Sequence, residues 1–299
     1  MAYGTPASPA DVEAYYTHIR GGRAPAVELV EDLRSRYDAI GGISPLRRIT
    51  EAQCHRLADA LDGGWRVALG QKHAAPFIED AVAELADAGV ARIMGLVLAP
   101  HYSRGSVGEY LARLAAAAVQ HELAVTALER WHDLEAWRGF QAETVVASLA
   151  RLPARTKVLF SAHSLPEAVL LDDPYPDELH ASATAIAAAA GLAPQSGSGR
   201  LGWGLAWQSA GRTGARWRGP DIGAVIDDLA ATGQVDGVLV CPQGFTADHL
   251  EVLYDLDVVA QARAVGHGLV FARTASLNDD PAVLAALADR LRASAIKAP

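Results

Sequence analysis

The chain has 299 residues, 51% of them apolar and 20% charged, and a net charge of −9. That length allows two domains of ordinary size, and the apolar share points to a packed protein rather than a disordered one. The acidic balance, with no basic run of five or more, argues against a general nucleic-acid binder.

In chain order, short apolar runs alternate with longer amphipathic ones. Thr50 to Leu61 is predicted helical, with Thr50 and Gln53 placed as a capping box, and Gly63-Gly64 ends it. Trp65 to Leu69 reads as a short strand. Pro76 to Ala88 is a helix with Phe77, Ala81, Leu85 and Ala88 on one face. Ile93 to Ala99 is a near-continuous apolar strand, as expected when both sheet faces are covered. Ser106 to Val119 is helical and Ala124 to Leu128 extended, which completes a βαβ pattern with a parallel sheet.

The pattern then repeats. Val158 to Ala162 is a strand, Asp177 to Ala190 an Ala-rich helix closed by Gly191, and Gly202 to Gln208 is extended. Asp221 to Thr232 is a helix, Val235 to Val240 a strand, and a further helix begins near Asp248. Leu269 to Arg273 is the last strand and Pro281 to Ile296 the last helix. The fold class is therefore α/β: two Rossmann-like lobes, each a parallel sheet flanked by helices, with a cleft between them. Residues 1–152 form the first lobe and 153–299 the second, joined near Leu152-Pro153-Ala154, and the final helix is expected to pack back on the first lobe.

Two cysteines, Cys54 and Cys241, are too few for a disulfide framework or for the four thiolates of an iron–sulfur cluster. No apolar stretch approaches the length of a membrane span, and no basic-then-apolar leader opens the sequence. The expected location is the reducing cytoplasm.

The chemistry concentrates in two segments. In Leu159-Phe160-Ser161-Ala162-His163-Ser164-Leu165-Pro166 a buried strand stops and presents His163 at its carboxyl end, where open α/β sheets bind ligands. A lone histidine there is usually a packed core residue, but Ser161, Ser164 and Pro166 break the apolar run around it and mark a loop aimed at the cleft. Downstream lies Asp248-His249-Leu250-Glu251-Val252-Leu253-Tyr254-Asp255. Glu251 and Asp255 stand four apart on a predicted helix and so share a face. The bland reading is a solvated acidic stripe; the apolar and aromatic residues between them argue otherwise. An imidazole facing a carboxylate suits a divalent metal of borderline hardness. Gly197, Gly199 and Gly202 match G-x-G-x-x-G, but the match follows a helix and opens none, so it reads as a flexible loop rather than a dinucleotide site.

These segments, together with Met1-Ala2-Tyr3-Gly4-Thr5-Pro6, Gly41-Gly42-Ile43-Ser44-Pro45-Leu46, Gln71-Lys72-His73, Leu98-Ala99-Pro100-His101-Tyr102-Ser103, Asp173-Pro174-Tyr175-Pro176 and Trp207-Gln208-Ser209, resemble the ferrochelatase family along essentially the whole chain. The likeness is greatest to the Gram-positive branch whose substrate is coproporphyrin III. The resemblance implies insertion of Fe²⁺ into a porphyrin in haem synthesis. It implies that His163 is a metal ligand and acceptor of pyrrole protons, neutral near pH 7, with Glu251 the opposing ligand and Asp255 next along the acidic row. It implies porphyrin contacts from Tyr3, Arg20, Arg36, Tyr37, Ser44 and Tyr110, with Lys72 and His73 near the cleft. Fe²⁺ and porphyrin are the expected partners and substrates, with no organic cofactor, no iron–sulfur cluster, no nucleic acid and a monomeric state. The rival readings are a non-catalytic porphyrin or haem carrier and a chelatase for another metal or tetrapyrrole.

Three departures from the family pattern carry expectations of their own. Members have a central strand just before the Tyr-Gly turn, whereas only Met1-Ala2 precede Tyr3 here; either the natural chain starts further upstream or the first sheet is built without that strand. Val259 stands where the acidic row would continue, which weakens an outer metal site. No cysteine follows Cys241, where some actinobacterial relatives carry cluster ligands.

Overall fold

The computed structural model describes residues 1–192 and 202–297. Gly197 and Gly199 of the glycine motif, and the loop expected at Ser196 to Gly199, lie outside the described residues.

Three helices come first: α1 (Val12–Ile19), α2 (Val27–Ala39) and α3 (Leu46–Leu61). Neither α1 nor α2 is expected from the sequence. The α2 segment buries only Val30 and Tyr37 among many charges, too sparse an apolar stripe to declare a helix. Helix α3 starts four residues before the expected Thr50 cap. The Ser44 hydroxyl accepts from the Leu46 amide at its start. Thr50 instead donates to the Leu46 carbonyl from mid-helix, and the Gln53 amide donates to the carbonyls of Thr246 and Asn278. The capping box is therefore absent because both side chains have other partners.

The first sheet pairs β1 (Arg92–Leu96) with β2 (Ala124–Leu128) in parallel, Arg92 opposite Ala124. Helix α4 (Ile78–Asp87) precedes β1, α5 (Val107–Val119) connects the strands, and α6 (Glu135–Leu149) follows. Helix α4 begins two residues later than expected, with Asp80 accepting from the Phe77 amide. Its buried face is Ile78, Ala81 and Val82, not Phe77 and Ala88. The strand expected at Trp65 to Leu69 does not form. A strand needs a neighbour, and among the described residues no bridge falls within Trp65 to Leu69; the nearest, Ala2 with Gln71 and Gln71 with Phe77, lie beyond it.

The second sheet is complete. Strands β3 (Thr156–His163), β4 (Trp203–Gln208), β5 (Gly237–Cys241) and β6 (Val270–Arg273) run parallel in the order β4-β3-β5-β6. Helices α7 (Tyr175–Ala189) and α8 (Ile222–Thr232) provide the crossovers. Asp221 caps α8 by accepting from the amides of Gly223 and Ala224. The chain moves outward from β3 to β4, then returns across β3 to β5. This switch point opens a crevice at the strand carboxyl ends.

After β5 the expected helix near Asp248 divides into α9 (Leu250–Leu253), a π-helical turn (Asp255–Ala260) and α10 (Gln261–Gly266). The last helix, α11 (Pro281–Lys297), packs on α3 and α6. Leu57, Leu61, Trp131, Trp137, Phe160, Leu239, Leu284 and Leu287 belong to one buried cluster, so the two lobes share a core. Among the described residues no helix is long and apolar enough to cross a membrane. Cys54 and Cys241 are both free thiols.

Candidate active site

Strand β3 is buried from Thr156 to Ala162 and emerges only at His163. The adjacent turn after β5 fits because Gly244 comes very close to β3. A Cβ there would sit 2.8 Å from the Ala162 Cα, nearer than packed atoms tolerate. The Gly244 amide donates to the Ser161 carbonyl at 3.0 Å. That contact starts the segment leading to His249 and Glu251 directly beside the end of β3.

Gln208, at the end of β4, ties the pieces together. Its side-chain oxygen accepts from the Ser161 hydroxyl at 2.7 Å, and its amide donates to the Glu251 carbonyl at 2.8 Å. It is fully buried, so both bonds are shielded from water and strong.

The result is a carboxylate between two imidazoles. His163 Nε2 lies 3.3 Å from Glu251 Oε1, and His249 Nε2 lies 3.5 Å from Glu251 Oε2. On each ring Nδ1 faces a backbone carbonyl, Ser164 at 2.5 Å and Ala247 at 2.9 Å. Those carbonyls orient the rings so that both Nε2 atoms point at the same acid, the support that metal-binding histidines typically have. About a third of the His163 and Glu251 side chains remains open, 31% and 36%.

Burial opposes the charged forms of both groups. For His163 the charge and hydrogen bond of Glu251, the Ser164 carbonyl and the more distant Asp255 outweigh it and lift the imidazole to about 9. For Glu251 the opposing burial is outweighed by the His163 charge and by hydrogen bonds from His163 and His249, which hold the carboxyl far below the usual range. Both shifts run in the direction of a charged pair rather than a neutral His163, because two desolvated partners stabilise each other's charge.

Asp255 does not continue a helix from Glu251, because α9 ends at Leu253 and the backbone widens into the π turn. Its Oδ2 accepts from the Ser209 hydroxyl at 2.5 Å. Burial raises its carboxyl, against the lowering hydrogen bond of Ser209. Val259 lies in the same turn and is 46% exposed. Arg273, at the end of β6, holds the turn in place through Asp257 at 2.7 Å and Asp248 at 3.1 Å. Among the described residues no group of three or more His, Cys, Asp or Glu side chains forms a ready-made metal cage. The arrangement is an open pair with a neighbour, suited to an ion that must leave.

The first-lobe candidates divide. Tyr3 is 42% exposed, its ring 4.7 Å from that of His73. Desolvation first and then the Glu251 charge push its hydroxyl up. His73 meets His18 with the two Nδ1 atoms 3.1 Å apart. Lys72 pairs with Glu109 and lies 5.3 Å above the Tyr110 ring. Arg36 is paired with Asp32 at 3.0 Å and stacks 5.5 Å from the ring of Tyr254, beside the acidic segment. Arg20 lies over Tyr16, and its buried Nε has no partner. Tyr37, Ser44 and Tyr110 are instead almost wholly buried. Tyr37 shares a bond with the Thr5 hydroxyl, Ser44 starts α3, and Tyr110 packs in the first-lobe core. Sequence reasoning assigned nothing to His249, Gln208 or Ser209. Only His249, two residues before Glu251, carried a local signal.

This geometry has relatives. A family model described as Ferrochelatase matches residues 1–295. The coproporphyrin III ferrochelatase of Geobacillus kaustophilus is 41% identical, covering 96% of this chain and 92% of its own length. That of Bacillus subtilis is 40% identical over 96% of this chain and 94% of its own. A ferrochelatase of Herpetosiphon aurantiacus is 40% identical over 94% and 93%. Among solved structures, the sirohydrochlorin chelatase SirB from Bacillus subtilis subspecies spizizenii, in complex with cobalt, shares the fold. Its TM-score is 0.53 and its identity 13%, with 83% of this chain and 90% of that one covered. The chain belongs to the ferrochelatase family.

Proposed function

We propose that this protein inserts Fe²⁺ into coproporphyrin III during haem synthesis, as a monomer in the cytoplasm and with no organic cofactor. Family membership and the substrate named for its relatives support the reaction. The observation that carries it to particular residues is the His163–Glu251 pair, 3.3 Å apart at the switch-point crevice.

Insertion exchanges one Fe²⁺ for two pyrrole protons, with no change in oxidation state. In the empty site a proton lies between His163 and Glu251. Both groups bind metal only when deprotonated, so arriving Fe²⁺ displaces that proton. When the ion moves on to the macrocycle, a neutral imidazole and a carboxylate are left behind, and this pair takes up one of the two pyrrole protons while the other passes to solvent. Metal release and proton uptake are then two halves of one exchange at the same pair. Tyr3 approaches from the opposite lobe, and Arg20 and Arg36 supply cations for propionates.

The test is an anaerobic assay with Fe²⁺ and coproporphyrin III or protoporphyrin IX, followed by the porphyrin absorption spectrum. His163→Ala should still quench porphyrin fluorescence on binding while insertion falls by at least about 100-fold. Normal turnover in that variant removes the assignment. Glu251→Gln should raise the Fe²⁺ concentration needed for half-maximal rate. No spectral change on adding Fe²⁺ to the porphyrin-bound parent protein would mark a carrier instead of an enzyme.

A further inference from the structure

Two arginines, one from each lobe, share a single acid at the edge of the cleft. Asp32 lies on α2. Its Oδ2 stands 3.0 Å from Nε of Arg36, one turn further along the same helix. Its Oδ1 accepts from Nη2 of Arg212 at 3.3 Å. Arg212 belongs to the second lobe, on the connection between β4 and α8. Two guanidinium groups and one carboxylate leave one positive charge without an acid of its own.

The connection that carries Arg212 is tied to the cleft at both ends. At its start the Ser209 hydroxyl binds Asp255. At its end Trp217 lies 6.5 Å from the His163 ring and pairs antiparallel with Pro166. The Glu167 amide donates to the Arg216 carbonyl at 2.8 Å, and the Arg218 amide donates to the Leu165 carbonyl at 2.9 Å. The Trp217 indole N–H donates to the Thr213 hydroxyl at 3.1 Å. The ring also covers Gly211 so closely that a Cβ there would sit 2.5 Å from it. The loop is therefore folded back on itself, and Arg212 reaches α2 from a supported backbone.

Arg36 is poorly satisfied by its acid. Its buried Nε–H has no hydrogen-bond partner among the described residues, although Asp32 is within ion-pair distance. A guanidinium presents five donors in a fork that fits a carboxylate through two parallel bonds. A ligand carboxylate can fill that fork better than Asp32 does. Drawing Arg36 away would leave the half-buried Asp32 short of a partner, which is costly for a charged group. Arg212 removes that cost, because it already holds the other oxygen.

We propose that Arg212 is a positioning residue for substrate carboxylates: by holding Asp32 from the opposite lobe, it releases Arg36 to a propionate of the bound ring. This rests on the reading of the substrate as a propionate-bearing porphyrin. The Arg212 and Asp32 side chains are 62% and 38% exposed, so water screens the pair and the effect is a few-fold change in affinity.

The test is equilibrium binding of coproporphyrin III and of its tetramethyl ester, the same ring without the charges, followed by porphyrin fluorescence. No metal is added, so the outcome is independent of whether iron is inserted. Arg212→Gln should raise Kd for the acid about 2- to 5-fold and leave Kd for the ester unchanged. Arg212→Lys should recover part of the loss, since it keeps the charge but not the fork. Asp32→Asn removes the acid from which Arg36 must be freed, so Arg212→Gln added to it should cost less than about 1.5-fold. Equal Kd values for parent and Arg212→Gln with the acid overturn the proposal. An equal loss with the ester also overturns it, because the loop and not the charge would then have changed. So does a full loss that persists beside Asp32→Asn, which would put Arg212 on the ligand itself.

Discussion

In the second lobe four parallel strands meet, β5 is buried at every position and β3 at every position but His163. In the first lobe β1 and β2 stand alone, with exposed or half-buried residues at most positions and a slot along one edge. Of the pair that faces the cleft, His163 ends a strand of this sheet and Glu251 stands on α9, which follows β5. That placement has a physical reason. Two groups must keep their spacing through metal arrival and departure, and a site built on rigid elements holds geometry better than one on open edges. Tyr3, by contrast, follows Met1 and Ala2, whose backbones bond to Leu96 and Leu98 on one side and to Gly70 and Lys72 on the other.

The comparison makes a stability prediction. Phe160 is fully buried in β3 and packs edge-to-face on Trp203 at 5.7 Å. Phe160→Ala should destabilise by about 3–5 kcal/mol in urea unfolding. Met94, half-buried at the middle of β1, borders the slot. Its removal takes away fewer contacts, because one side already lacks neighbours, so Met94→Ala should cost under about 2 kcal/mol. Equal losses would mean the first lobe is packed as firmly as the second, and the contrast drawn from burial would fail.

How much of this could be read from the sequence follows the same division. The strands of the second lobe are legible because strands buried on both faces read as apolar runs closed by Gly, Pro and Asn signals. Trp65 to Leu69 carries the same signature, yet it makes no strand, since a strand exists only with its neighbour. Thr50 and Gln53 satisfy the spacing of a capping box, but Gln53 bonds to Thr246, 193 residues away in the chain, and no local pattern reports that. His163 was legible because serines and a proline break its strand, and Glu251 because an acid stands among apolar residues. Gln208 and Ser209 were not, because β4 reaches the site only by pairing with β3, Gln208 opposite His163. The charge of His163 is set in a similar way, by an acid 88 positions later that comes within 3.3 Å.

A smaller effect probes the seam between the lobes. His101, following β1, is buried, with Nε2 2.8 Å from the Ser182 hydroxyl of α7 and Nδ1 without a partner. It stacks on His132, 5.4 Å away, whose Nε2 lies 3.6 Å from Glu178. Glu178 in turn meets Arg130 at 2.8 Å and accepts from the Tyr102 amide. Burial first, then the nearby His132 and Arg138, holds His101 well below its usual value. Burial lowers His132 as well, against the opposing charge of Asp133. Below the unfolded-state value of about 6.5 the unfolded chain therefore takes up protons that the folded chain refuses. Stability should fall as pH drops through that range, by up to about 1.4 kcal/mol per pH unit for each such histidine. His101→Gln keeps a polar group near Ser182 but cannot titrate. Its urea midpoint, followed from pH 7.5 to 5.5, should decline less steeply than that of the parent by close to one proton. The readout is the slope, so any fixed cost of the substitution drops out. Parallel slopes would mean that His101 is protonated in the folded protein, and that the seam holds an imidazolium beside Ser182 and His132 rather than a neutral ring.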